Sequence, residues 1–424
     1  MTGAAITRLT AREVLDCRGL PTLQVDCWVD ERFLGRADVP AGRSRGSHEM
    51  VEARDGGMRF GGLGVRGAVK CVAESIAPSL LGMAPWPHRA VDQMLCDLDG
   101  TDDKHKLGAN AICGVSLAVA RAAAASLGLP LYRYLNPDAH VLPVPQVNLI
   151  NGGRHASGSL DFQEFIIMPV GAATFMGAME IASEVNLALR QLLAARHSLS
   201  ALNVGDEGGC TPALSDPRQA LSLLHEAVDA AGYSRQVVYG LDCAATHLFD
   251  AKTATYSVGG KRYSSDELLE LYLSLIDEFH VASIEDPFQE EDFEAFAQLT
   301  NQTSVQVVGD DLLATQVARI QKGVELNACN ALLWKVNQVG TLSEAMDAAH
   351  LARLSGWALV VSERSGETED TWLSDLTVAL SSGQIKTGAP VRGERTSKYN
   401  RLLLIEEELG SCARYAGTNF RRPI

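Results

Sequence analysis

The chain has 424 residues, 37 Lys and Arg against 52 Asp and Glu, and a net charge of −15. With 46% hydrophobic and 21% charged residues, disorder as the main state is excluded and a large core is affordable. The acidic balance argues against a nucleic-acid binder, which needs a concentrated basic face to displace counterions, but leaves room for a basic pocket around a small anion. That length is too great for one small module, so two domains, or a barrel with an appended cap, are expected.

The nine cysteines, from Cys17 to Cys412, are scattered and form no CxxC pair. A disulfide framework or zinc ribbon is not expected, and a reducing cytoplasm is the simpler compartment. The start, MTGAAITRLTAREVLD, has no apolar leader segment, and the apolar stretch from Ala109 to Leu131 is interrupted by Asn110 and Arg121. Neither export nor membrane insertion is expected.

In chain order, PTLQVDCWVD (Pro21 to Asp30) alternates apolar and polar residues and predicts a strand with one exposed face. Helical spacing follows from Gly67 to Leu80 and from Asn110 to Leu129, where Gly128 and Pro130 stop it. This is a small α+β unit, and Asn136-Pro137, with Pro143 and Pro145 beyond, marks the expected boundary between residues 1–136 and 137–424. The remainder predicts short buried strands, each ending in a polar or charged residue, separated by helix-length stretches. They are FQEFIIMP (Phe162 to Pro169), LNVGDE (Leu202 to Glu207), VVYGLD (Val237 to Asp242), VASIEDP (Val281 to Pro287), VQVVGDD (Val305 to Asp311), ALLWKV (Ala331 to Val336), ALVVSER (Ala358 to Arg364) and QIKTG (Gln384 to Gly388). Glu285, Asp310 and Lys335 are evenly spaced at a strand-helix-strand repeat, and the pattern as a whole predicts an α/β fold with a closed β/α barrel. Barrel active sites lie at the C-terminal strand ends, which here carry Glu207, Asp242, Glu285, Asp310, Lys335, Arg364 and Lys386.

Two motifs fail. Gly62 to Gly67 fits GxGxxG without a preceding Val- and Ile-rich strand, and the HExxH reading that opens at His48-Glu49 breaks at Glu52. The constellation with chemistry is Asp242, Glu285 and Asp310, three carboxylates without Cys or His beside them, a donor set suited to Mg²⁺. The same acids could instead form salt bridges with Lys335, Lys386 and Arg364.

At these residues the chain resembles the enolase family, nearly end to end. The resemblance runs through RGLPTLQVDCWV, GANAICGVSLAVARAAA, PVPQVNLINGGRHASGSLDFQEFIIMPVGA, NVGDEGG, GLDCAAT, SIEDP, VGDDLLAT, LLWKVNQVGTLSEA, RSGETED and QIKTGAPVRGERTSKYNRLLLIEEELG. It implies an enolase-type β/α barrel that begins with two antiparallel strands, an N-terminal α+β capping domain with a lid loop, and a homodimer. It implies that Asp242, Glu285 and Asp310 bind a first Mg²⁺ and that Ser44 helps close the lid over a second. Lys335 would be the general base, Glu207 with Glu164 the general acid, and Arg364 with Ser365 the phosphate clamp. Lys386 would face the substrate carboxylate, with His155 and Gln163 beside the substrate. The expected partners are small anionic substrates, with no nucleic acid and no membrane.

The chemistry asks for these residue types. Removing a proton next to a carboxylate creates a dianionic enolate that needs fixed positive charge, and crowding Lys335 with cations should lower its pKa toward that of a base.

Departures from the family pattern are concentrated near the lid and the phosphate pair. The lid, usually SGASTG, reads Ala41-Gly42-Arg43-Ser44-Arg45-Gly46; Glu363 replaces the histidine before Arg364-Ser365; Cys210 and Trp334 replace an aromatic residue and a leucine. Arginine forks suit additional anionic oxygens. Glu363, held by one of them, together with Arg43 and Arg45, therefore leads to the expectation of a divergent member resembling carboxyphosphonoenolpyruvate synthase. Such an enzyme would transfer a phosphonoformyl group from its CMP ester in phosphinothricin-type antibiotic biosynthesis. The alternatives are phosphopyruvate hydratase, converting 2-phosphoglycerate to phosphoenolpyruvate, with an unusual lid, and a catalytically silent enolase-fold binding protein.

Overall fold

The computed structural model describes residues 4–156 and 160–423. Its first unit is an antiparallel sheet of β1 (Ile6–Leu15), β2 (Pro21–Val29) and β3 (Phe33–Asp38), in the order β1-β2-β3. Leu23, Val25, Cys27 and Val29 of β2 point inward and are fully buried, as period-two alternation requires. Helix Ala109–Ser126 packs on this face. Small residues set the close approach: a Cβ on Gly35 would lie 2.0 Å from the Ala118 carbonyl oxygen. By length and composition that helix could cross a membrane, but 83% of it is buried inside the protein, which makes it a core helix.

The sheet's other face carries charge. Asp26 accepts from Arg12 at 2.6 Å and from Arg36 at 2.6 and 2.9 Å. Burial alone would raise its pKa, but the Arg36 and Arg12 guanidiniums outweigh it and hold the carboxyl below its usual 3.8, at about 2. The folded value is depressed, so this contribution is present above the unfolded value and is lost as pH falls through about 2. Urea titrations of Asp26→Asn and the wild type should differ at pH 6 and converge near pH 2.

The barrel comprises β4 (Val144–Asn151), β5 (Glu164–Met168), β6 (Val238–Asp242), β7 (Val281–Glu285), β8 (Gln306–Gly309), β9 (Ala331–Trp334), β10 (Ala358–Ser362) and β11 (Gln384–Lys386). It closes because β11 pairs in parallel with β4. Only β5 runs antiparallel to its neighbours, so the barrel opens with two antiparallel strands as the resemblance implied. Inside, Gln146, Gln306 and Gln384 join side chain to side chain at 2.9 Å, a satisfied polar layer beneath the mouth.

One predicted strand is wrong. Leu202–Glu207 is a short turn and loop, and the eighth barrel strand is β4, in the stretch read as a proline-rich boundary. Pro145 lies opposite Ile385, and every residue of β4 is buried, so neither proline content nor alternation revealed it. The loop is nevertheless tied to β4: Leu149 accepts the Cys210 N–H at 2.8 Å and Cys210 accepts that of Asn151 at 2.9 Å. Glu207 thereby reaches the mouth without belonging to a strand.

Candidate active site

The antiparallel β5 determines how the carboxylates meet. Its N-terminal residue, Glu164, is registered opposite Asn151 and Asp242, so a residue that begins a strand arrives where the parallel strands end. Lys386, closing β11, places its ammonium 2.9 Å from Asp242, 2.8 Å from Glu285 and 3.1 Å from Glu164. Lys335, just beyond β9, donates to Asp310 at 2.6 Å, and Gln338 donates to the other oxygen of Asp310 at 2.8 Å. Gln163 donates to Asp242 at 3.0 Å. On the opposite wall Glu207 accepts from Asn148 at 2.9 Å and lies 3.3 Å from His155.

The carboxylates, both lysines, Gln163 and His155 line a single cavity of about 30 Å³, shared by Ser44, Glu363, Arg364 and Ser365. Among the described residues, several buried polar atoms around it have no hydrogen-bond partner: Glu164 Oε2, Gln163 Oε1, Asn148 Oδ1 and Glu363 Oε1. Orphaned polar atoms are rare in folded proteins, and their concentration here marks groups positioned for a ligand.

The two glutamates are electrostatically split. Burial, with the neighbouring Glu207 charge, pushes Glu164 well above the usual carboxylate range. Burial acts on Glu207 in the same sense, but His155 and Lys386 outweigh it and hold Glu207 well below that range. A proton shared by the pair therefore rests on Glu164, the arrangement of a coupled acid. For Lys335 the expected lowering is not found: burial would lower it, but the Asp310 contact wins and raises it.

Asp242, Glu285 and Asp310 line the same cavity but are held by different partners. The first two share Lys386, whereas Asp310 groups with Asp286 and Asp311, whose oxygens lie within 4.8 Å of one another. Asp286 accepts the N–H of Asp310 at 2.9 Å and of Asp311 at 2.8 Å, pinning the end of β8. The donor set fits a hard cation: it is all oxygen, and a cationic ammonium already sits in its cradle.

The turn expected to clamp a phosphate differs from expectation. Arg364 is held bidentate by Glu49, at 2.8 and 2.9 Å, and donates to the Ser44 carbonyl at 3.2 Å. Gly42 makes this approach feasible, since a Cβ there would lie 2.2 Å from Arg364 Nη2. Ser365 Oγ accepts the Arg43 backbone N–H at 2.7 Å, and Ala41 pairs with Gly366, so the lid loop lies on the Arg364-Ser365 turn. The Arg43 and Arg45 side chains do not line the cavity. Arg43 pairs with Asp206 at 3.1 Å while half exposed, and Arg45 donates to the Met50 carbonyl at 2.7 Å. Neither holds Glu363. Its partners are Arg395, fully buried, and Thr387 Oγ1 at 2.9 Å; burial pushes its carboxyl up to about 8, with Arg395 pulling the other way.

Thus the structure gathers all the expected site residues except Arg43 and Arg45. Sequence reading missed Glu49, Asn148, Asp286, Gln338 and Arg395. Glu49 falls only in the failed metal motif, and Asp286 and Arg395 carry no signal of their own inside SIEDP and GERTSK. Cys210 and Trp334 are packing changes: Cys210 is buried against Arg190, and Trp334 turns outward to donate to the Ala345 carbonyl.

Residues 6–135 match the family described as enolase, N-terminal domain, and residues 139–424 match enolase, C-terminal TIM barrel domain. The chain is 53% identical over 420 residues to an enolase of Methanocaldococcus jannaschii, with 99% of each chain covered. It is 51% identical over 424 residues to one of Thermococcus gammatolerans, covering 99% of this chain and 98% of the relative. The enolase of Pyrococcus furiosus is 52% identical over 422 residues, with 98% of each covered. The chain belongs to the enolase family. These full-length relatives, all named enolase, overturn the expectation of a carboxyphosphonoenolpyruvate synthase using a CMP-phosphonoformate donor in antibiotic biosynthesis. The physical reason is that Arg43 and Arg45 are spent outside the cavity and Glu363 is neutralised by Arg395, so the departures do not build a second anion pocket.

Proposed function

We propose that this chain is a phosphopyruvate hydratase, a carbon-oxygen lyase converting 2-phosphoglycerate to phosphoenolpyruvate. The observation that carries this reading is the joint lining of one cavity by Lys335, Lys386 and the split pair Glu164 and Glu207, the parts a proton abstraction followed by loss of hydroxide needs. In this reading Lys335 Nζ removes the α-proton and the Glu164 and Glu207 pair delivers a proton to the departing hydroxyl, which leaves as water. Lys386 faces the substrate carboxylate with Gln163 alongside, and Arg364, Ser365 and His155 receive the phosphate. Mg²⁺ held by Asp242, Glu285 and Asp310, with a second ion near Ser44, would supply the positive charge that an enolate beside a carboxylate demands. With Asp310 given over to a cation, its hold on the Lys335 ammonium weakens, and burial then favours the free amine.

The division into a cap, residues 1–136, and a catalytic barrel, residues 137–424, belongs to the same reading, as do a homodimer and a reducing cytoplasm, which the nine free cysteines support. The test is phosphorus NMR of 2-phosphoglycerate with protein and Mg²⁺. Conversion to phosphoenolpyruvate is expected; an unchanged spectrum refutes the assignment. For the metal, calorimetric titration of Asp310→Asn should show Mg²⁺ affinity weakened about ten-fold or more, since a hard cation loses a charged oxygen ligand. Equal affinity would remove Asp310 from the ligand set.

A further inference from the structure

A second cavity lies at the opposite end of the barrel. Trp357 leads into β10 and Ser382 into β11, while Arg353 comes from the last turn of helix Leu342–Leu354. The cavity measures about 490 Å³, and its wall is completed by Arg421 and Arg422. Among the described residues three arginines line it and no Asp or Glu does, a local reversal of sign in a chain with 52 acidic and 37 basic residues.

Among the described residues none of the three guanidiniums has a carboxylate partner; backbone carbonyls hold them instead. Arg353 Nη2 donates to Leu380 and, at 2.8 Å, to Ser381; Arg421 Nη1 donates to Ser304 at 2.8 Å; Arg422 Nη2 donates to Gly356 at 3.3 Å. Each commits one nitrogen and keeps further N–H groups. Burial pulls the Arg353 and Arg421 guanidiniums below their usual value, and Arg422 adds repulsion on Arg421.

The arginines are also fixed in place. Gly383, at φ +78°, lets the tail lie directly on the barrel floor, since a Cβ there would be 2.3 Å from the Phe420 carbonyl oxygen and 2.8 Å from Pro423 Cγ. The Arg422 N–H donates to the Asn419 carbonyl at 2.8 Å, closing the turn that carries both tail arginines.

We propose that this cavity binds an oligophosphate anion, pyrophosphate or the phosphate chain of a nucleotide, at a site separate from the catalytic mouth. Three permanent cations with planar donor forks match several adjacent phosphate oxygens, whereas a single carboxylate or orthophosphate would leave part of the charge uncompensated. The volume falls within the range of about 300–1,000 Å³ usual for small-ligand sites.

The probe is inorganic pyrophosphate, titrated calorimetrically into the metal-free full-length protein at about 0.15 M salt, where weak surface attraction is screened. The comparison is with Arg421→Ala/Arg422→Ala, chosen because Arg353 also ties down the Leu380 turn and its loss could unfold that region. The wild type should show a binding event, with a change in tryptophan fluorescence, that weakens about ten-fold or more in the double variant while 2-phosphoglycerate turnover is unchanged. Identical isotherms for the two proteins would overturn the proposal. So would orthophosphate binding at this site as tightly as pyrophosphate.

Discussion

Lys335→Ala is expected to lower turnover of 2-phosphoglycerate by about 10³-fold, within the usual contribution of a positioned general base. It is also expected to abolish exchange of the substrate's α-hydrogen with deuterated solvent. Lys335 is 8% exposed and its ammonium is 2.6 Å from Asp310, so the variant removes the basic group beside Asp310 and leaves Gln338 donating to that carboxylate. Glu207→Gln should behave differently, because it acts on the departing hydroxyl: exchange should persist while net dehydration stalls. Wild-type exchange in Lys335→Ala would place the base elsewhere.

Arg395→Met is expected to lower the unfolding free energy by about 3–5 kcal/mol, because three buried carbonyls each lose their donor at about 1–3 kcal/mol apiece. Arg395 is fully buried against Glu363 and donates to the Arg364, Asp206 and Ser365 carbonyls at 2.8–2.9 Å. Methionine preserves apolar volume but leaves Glu363 without its cation and three carbonyls without a donor. Urea denaturation reads the loss directly, and the double variant with Glu363→Gln should recover little of it, because burial already pushes the Glu363 carboxyl up to about 8 and without Arg395 it is neutral. Because two of those carbonyls belong to the proposed phosphate turn, KM should rise more than kcat falls. A loss below about 1 kcal/mol, typical of an exposed pair, would show that the cluster does not organise the turn.

Much of this molecule is legible in its sequence because barrel strands are short, buried and locally patterned. Seven of the eight predicted strands form barrel strands, and the charged residues at their ends, Asp242, Glu285, Asp310, Lys335, Arg364 and Lys386, gather at one mouth. Strand periodicity is a local property, determined by which side chains must leave water, and it survives in the order of residues alone. The exception, β4, is buried on both faces and contains Pro145, so it carries no alternation to read.

What charges do once they arrive is not local. The antiparallel β5 brings Glu164 to the mouth from the start of its strand, and a loop hung on β4 brings Glu207 there with no strand at all. Arg395 claims Glu363 from a separate helix, Asp206 claims Arg43, and Asp310 raises the Lys335 pKa where crowding by cations was expected to lower it. Residue types and strand ends were therefore determined by the sequence itself, through patterns spanning a few positions. Pairing, protonation and access to the cavity were decided by the tertiary structure, because Coulomb energy and desolvation depend on distances of a few ångströms between groups that lie far apart along the chain.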